Sequence, residues 1–210
     1  MSARAIVGIV LAGGASTRFG TDKLVAELDG RPLLHHAVLA VAEVVDRIVV
    51  VVAPGAPVPS LPASLAGRVF VARDAAHHRG PLAGIAAGLA SAASAGSASA
   101  SSPELALVVG GDMPRLDAGV LRLLLERLAA DESLFAMTLD ASPIAPMPLA
   151  VRIQPARGAA IALLAGGRRS LRSLLDAVPS ATVPSADWRA LDPAGRTLRD
   201  VDRPADLEAR

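Results

Sequence analysis

Short β-branched runs, apolar at nearly every position, recur between longer Ala/Leu-rich segments, and this alternation most restricts the fold. A strand without a polar face must be covered on both sides, as in a parallel sheet between two layers of helices. The runs fall at Ala5–Leu11, Arg47–Val52, Arg68–Ala72, Leu105–Val109, Leu134–Leu139 and Met147–Val151. Helices are expected at Pro32–Val45, Pro81–Ala95, Ala118–Ala130, Ala156–Leu164 and Ser170–Ala177. Pro32 and Pro81 suit a first helical turn, where a missing N–H is harmless, and Asp117 suits an N-cap. The reading is α/β with a mostly parallel sheet.

The strand–helix alternation continues across the two irregular stretches, so neither separates domains. Ala53 to Pro62 holds four prolines and reads as a surface connection, while Ser91 to Ser102 contains only Ala, Ser and Gly. One domain is expected over residues 1–210. The chain has no cysteine, which excludes disulfides, a thiolate nucleophile and a Cys-ligated metal. A formal charge of +1, three Phe, one Trp and no Tyr give no basic field or stacking platform for nucleic acid. Mean hydropathy is high at +0.45, yet no apolar stretch reaches the ~18–20 residues of a spanning helix. The short apolar run near the start lacks a signal peptide's length, so a cytoplasmic protein with no membrane partner is expected. No exposed apolar helix face stands out, so a monomer is expected.

The first strand runs directly into Leu11-Ala12-Gly13-Gly14-Ala15-Ser16-Thr17-Arg18-Phe19-Gly20-Thr21-Asp22-Lys23. Ligands in open α/β sheets sit at carboxyl ends of strands, where this loop falls. Gly13 and Gly14 let the backbone approach a ligand closely, and Arg18 and Lys23 add positive charge for phosphates. Neither the P-loop spacing nor the G-x-G-x-x-G fingerprint fits. Of 21 basic residues only Lys23 is lysine, which hints that a compact ammonium is wanted there.

That loop resembles the signature of the MobA-like nucleotidyltransferases. Further resemblance follows in order at Asp74, Gly80-Pro81-Leu82-Ala83-Gly84, Gly111-Asp112-Met113-Pro114 and Asp200-Val201-Asp202-Arg203-Pro204-Ala205-Asp206-Leu207, spanning nearly the whole chain. It implies a three-layer Rossmann-like domain of the nucleotide-diphospho-sugar transferase type, with a nucleotide-binding half over roughly 1–115 and an acceptor-side half over roughly 116–210. Within the family the combination most resembles the molybdenum cofactor guanylyltransferases, which transfer GMP from GTP to the phosphate of molybdopterin, release pyrophosphate and use Mg²⁺. GTP and molybdopterin are thus the implied partners. Two alternatives remain open: a related cytidylyltransferase or sugar-phosphate nucleotidyltransferase, and a non-catalytic nucleotide-binding protein of cofactor assembly.

The resemblance also implies roles. Leu11, Ala12, Gly13 and Gly14 meet the nucleotide through the backbone, Lys23 reaches its phosphates, and Arg18 serves the leaving group. Asp112, just beyond a strand end, is the metal ligand. Asp74 belongs at the nucleoside end, because a carboxylate would repel phosphate, and Gly80 lets the start of its helix pack closely against the nucleotide or the first loop. Asp200 and Asp202 stand where relatives commonly carry asparagines. Two apart in an extended segment, they share a face and either assist the metal, Asp202 in particular, or cap helix Pro204–Glu208. Gly167 to Arg172 either docks the acceptor's phosphate or is an exposed charged face. His35-His36 and His77-His78 diverge as neighbours, which argues against a zinc site, and Trp188 is expected to pack within a connection.

Overall fold

Residues of opposite parity on each central strand face opposite layers, and both sets are apolar. The computed structural model describes residues 5–13, 23–74, 80–94, 103–143 and 145–207. Its main sheet holds β1 (Ile6–Ala12), β4 (Arg47–Val52), β5 (Val69–Arg73), β6 (Leu105–Gly110), β7 (Ala136–Leu139), β8 (Leu149–Arg152) and β9 (Ser180–Val183). The order is β5-β4-β1-β6-β8-β7-β9, with β8 antiparallel to both neighbours and every other pairing parallel. A separate hairpin joins β2 (Glu27–Leu28) to β3 (Arg31–Pro32).

On one face Val10, Val50, Val52, Leu105, Leu107 and Val109 pack beneath α1 (Leu33–Ala42) and α3 (Ala118–Ala130). On the other, Val7, Ile9, Val49, Val51, Ala106 and Val108 meet α2 (Pro81–Ser94), α4 (Ile153–Ala165) and α5 (Leu171–Ala177). This is the mostly parallel, two-sided sheet that the runs predict. A third, small cluster of Leu28, Leu33 and Val201 ties the hairpin and the first turn of α1 to the C-terminal segment.

The central strands and α3 match their expected bounds within a residue or two. Asp117 caps α3, its Oδ1 accepting the Val120 N–H at 3.0 Å. Pro32 stands just ahead of α1 as its N-cap residue, whereas Pro81 opens α2. The β2–β3 hairpin departs from expectation, α4 starts at Ile153 where Ala156 is expected, and the C-terminal region departs further. β9 and α6 (Ser185–Leu191) occupy a stretch read as connection, and Trp188 on α6 is fully buried, donating its indole N–H to the Asp140 carbonyl at 3.0 Å. The last turn is a 3₁₀ helix over Pro204–Leu207, and its leading amides, Asp202 and Arg203, donate to Asp206 Oδ2 at 2.9 and 2.7 Å. Among the described residues no helix is long and apolar enough to cross a membrane.

Candidate active site

Strand order reverses between β4 and β6 on either side of β1, so the carboxyl ends of these strands open a crevice at the switch point. The β6 end is tied to the β1 end by the Gly111 N–H, which donates to the Leu11 carbonyl at 2.9 Å. One residue on, the Asp112 carbonyl accepts the Val201 N–H at 2.9 Å. Val201 is buried with Leu28 and Leu33, so its flanking residues Asp200 and Asp202 are delivered to the mouth of β6. Carboxylate oxygens of Asp112, Asp200 and Asp202 all lie within 4.8 Å of one another.

Lys23 begins a 3₁₀ turn over Lys23–Val25 and reaches into this cluster. Its Nζ stands 2.7 Å from Asp112 Oδ2 and 3.2 Å from Asp202 Oδ1, with side-chain exposures of 13%, 22% and 50% for Lys23, Asp112 and Asp202. Burial opposes the Lys23 charge, but the hydrogen bonds and charges of Asp112 and Asp202 outweigh it and raise its pKa. Asp200 is pushed up, first by burial and then by the charges of Asp202 and Asp112. Such mutual crowding favours either a retained proton or a cation. All three donors are hard carboxylate oxygens on one side of the crevice, a set that fits Mg²⁺, which takes one or two carboxylates together with phosphates and water.

The nucleoside-end candidates lie across the crevice. Asp74 follows β5 and its N–H donates to the Val52 carbonyl at 3.0 Å. β5 is two strands from β1, about 10 Å at the usual strand spacing, and Asp74 takes no part in the acid cluster. Leu11 and Ala12 end β1 half-buried, and Gly13 is exposed beside Ala53, whose N would lie 3.2 Å from an added Cβ. Gly80, just before α2, has φ +77°, and a Cβ there would meet the Arg169 carbonyl at 2.8 Å. The Leu82 N–H donates to that same carbonyl at 3.3 Å, so the stretch before α5 packs against the start of α2. Ser170 caps α5 itself. Gly14, Arg18, His77 and His78 lie outside the described residues. His35 and His36 donate to the backbone carbonyls of Ser60 and Leu28 at 3.0 and 2.7 Å, well apart in role from any ligand set.

Asp200 is the residue whose place the sequence left most open, and its carboxylate lies within 4.8 Å of those of Asp112 and Asp202. Its signal was the Asp-x-Asp spacing ahead of a proline.

One ammonium among three carboxylates at the ends of parallel strands equips a protein for handling phosphate and metal charge together. A family model described as the MobA-like NTP transferase domain matches residues 8–182, and the chain belongs to that family of nucleotidyltransferases. A protein of Mycobacterium avium (strain 104) named probable molybdenum cofactor guanylyltransferase is 32% identical, covering 97% of this chain and 94% of its own. A counterpart of the same name from Mycobacterium tuberculosis is also 32% identical, covering 89% and 87%. Among solved structures, molybdopterin-guanine dinucleotide biosynthesis protein A from Archaeoglobus fulgidus superposes with a TM-score of 0.75 at 19% identity, covering 97% of this chain and 95% of that one. The 2-C-methyl-D-erythritol 4-phosphate cytidylyltransferase of Thermus thermophilus does so at 0.63 and 18%, covering 96% and 95%. At these identities the structures attest the fold, that of the nucleotide-diphospho-sugar transferases.

Proposed function

We propose that the protein transfers GMP from GTP to the phosphate of molybdopterin and releases pyrophosphate. The observation carrying this reading is the Lys23 ammonium held 2.7 Å from Asp112 at the β1–β6 mouth. The acceptor is supported by the relatives named molybdenum cofactor guanylyltransferase, aligned over nearly the whole chain. The cytidylyl and sugar-phosphate alternatives have only the shared fold behind them.

In this reading the triphosphate lies over the end of β1, contacted by the backbone of Leu11, Ala12, Gly13 and Gly14. The nucleoside points toward Asp74 and Gly80, where the Asp74 carboxylate would repel a phosphate. Lys23 leaves Asp112 and Asp202 for the phosphates and lowers the charge that an incoming anion must approach. A phosphate oxygen of the acceptor then attacks the α-phosphorus in line. The bond from that phosphorus to the bridging oxygen breaks, and pyrophosphate departs with the electron pair beside Lys23 and Arg18. Asp112, with Asp200 and Asp202, would hold Mg²⁺. When bound, the ion would offset phosphate charge and polarise the reacting phosphoryl group. Cytoplasmic location and monomeric action complete the proposal.

The test is pyrophosphate release with molybdopterin and Mg²⁺, supplying GTP, CTP, ATP and UTP in turn. Release with GTP alone is expected. Release with CTP would reassign the base, and none with any nucleotide would leave a binding protein without turnover.

A further inference from the structure

A cavity of about 690 Å³ lies beside the acid cluster, between the β2–β3 turn, the segment after Asp112 and the chain over 196–201. Asp200 belongs to both the cavity wall and the cluster, so the two adjoin. Its floor includes Leu28, Leu198 and Val201, and its charged wall includes Arg115, Arg196 and Arg199.

The local backbone explains the arginine pair. Gly195, at φ +63°, opens a 3₁₀ turn over Arg196–Leu198, which the Arg199 N–H closes on the Arg196 carbonyl at 3.0 Å. With about three residues per turn, positions 196 and 199 fall on one side.

Two of the three acids lining the cavity are already engaged. Asp29 pairs with Arg115 at 3.1 Å, and Asp206 accepts the amides of Asp202 and Arg203. Asp200 faces the other two acids of the cluster. Beside Arg196, the Asp192 carboxylate accepts the Thr197 N–H at 2.7 Å; burial opposes its charge, but that amide, the Arg196 amide and the Arg196 charge outweigh burial and lower its pKa. Among the described residues neither Arg196 nor Arg199 has a carboxylate at ion-pair distance, and Arg199 makes only a 3.4 Å contact to the Ala194 carbonyl. Two guanidinium forks on one wall, with Asp29 and Asp206 occupied and Asp200 turned to the acid cluster, match the oxygen pattern of a phosphoryl group.

We propose that Arg196 and Arg199 form a phosphoryl-oxyanion subsite alongside the transfer centre, taking either the departing pyrophosphate or a phosphate of the acceptor. The proposal rests on the nucleotidyl-transfer reading for these two sources. Its binding arm needs no turnover.

The experiment compares wild type with R196Q/R199Q, two exposed positions whose loss leaves the core untouched. Inorganic pyrophosphate is titrated calorimetrically into each protein, with and without an α,β-methylene GTP analogue and Mg²⁺ to fill the first loop. Loss of two charged hydrogen-bonding groups should weaken a pyrophosphate site on these arginines by about tenfold or more. In turnover, a leaving-group source raises the pyrophosphate inhibition constant and leaves the acceptor KM unchanged. An acceptor source raises the acceptor KM and leaves the inhibition constant unchanged. Equal pyrophosphate binding together with equal acceptor KM and inhibition constants in the two proteins overturns the proposal. A wild type that binds pyrophosphate but turns over no nucleotide would refute the guanylyltransferase reading while sparing the subsite.

Discussion

Replacing Lys23 with methionine keeps the length of the side chain and removes its charge, leaving Asp112, Asp200 and Asp202 facing one another. Lys23 and Asp112 are only 13% and 22% exposed and 2.7 Å apart, which places the pair between a surface bridge and a buried one. Surface pairs contribute about 0–1 kcal/mol, and breaking buried ones costs roughly 3–5, so a loss of about 2 kcal/mol is expected at neutral pH. In a domain of this size that lowers the melting temperature by about 4–8 °C. The pH dependence follows from the two shifts. The raised Lys23 pKa means its contribution is complete below the unfolded value and lost as pH climbs through the folded one, so wild type alone sheds it in alkali. The raised Asp200 pKa has the same sign in a lower pH range: the folded state holds that proton more tightly, and stability is gained as pH falls through the raised value. Without Lys23 this acid crowding grows, so the gap between variant and wild type should close as the carboxyls protonate. Divalent cations should close it too, because they no longer compete with an ammonium. Thermal unfolding from pH 4 to 8, with and without Mg²⁺, and Mn²⁺ titration of both proteins would measure this. A gap independent of pH, together with unchanged Mn²⁺ affinity, would refute the reasoning.

Asp112→Asn should reduce pyrophosphate release by about a hundredfold or more while leaving the melting temperature near wild type, and full activity would remove Asp112 from the metal site. Lys23→Arg retains charge but replaces a compact ammonium with a planar fork, so GTP binding should survive and most turnover be lost; a wild-type rate would show that charge alone matters. Gly80→Ala should cost roughly 1–3 kcal/mol in denaturant unfolding, because φ is +77° and the Arg169 carbonyl is in the way, and wild-type stability would mean that this turn relaxes. GTP with Mg²⁺ at a hundredfold over Kd should add about 2.7 kcal/mol in thermal unfolding, and an equal shift with CTP would contradict guanine selectivity.

What the sequence displays is whatever a strand or loop announces within a few residues. The runs around β1, β4 and β6 are apolar on both faces because helices cover both, and they declare themselves. β9 is an edge strand reading Ser-Ala-Thr-Val, with only Val183 buried, and carries no such mark. The run at β8 declares a strand but not its direction, since an apolar stretch looks the same read either way. The β2–β3 hairpin did have a signal, Asp29-Gly30, whose φ values of 51° and 73° are those of a tight hairpin turn. That hairpin bears on the chemistry. Lys23 and Asp112 are legible singly, each in a loop after a strand, but their meeting depends on the Gly111–Leu11 and Val201–Asp112 backbone bonds. The second bond forms because Val201 is buried against Leu28 of the hairpin and Leu33 of α1. Asp200 and Asp202 reach the crevice as the neighbours of that one buried valine. The acid cluster therefore rests on a small core whose members take no part in the proposed reaction, joining residues about 170 positions apart, a dependence that no local pattern can display.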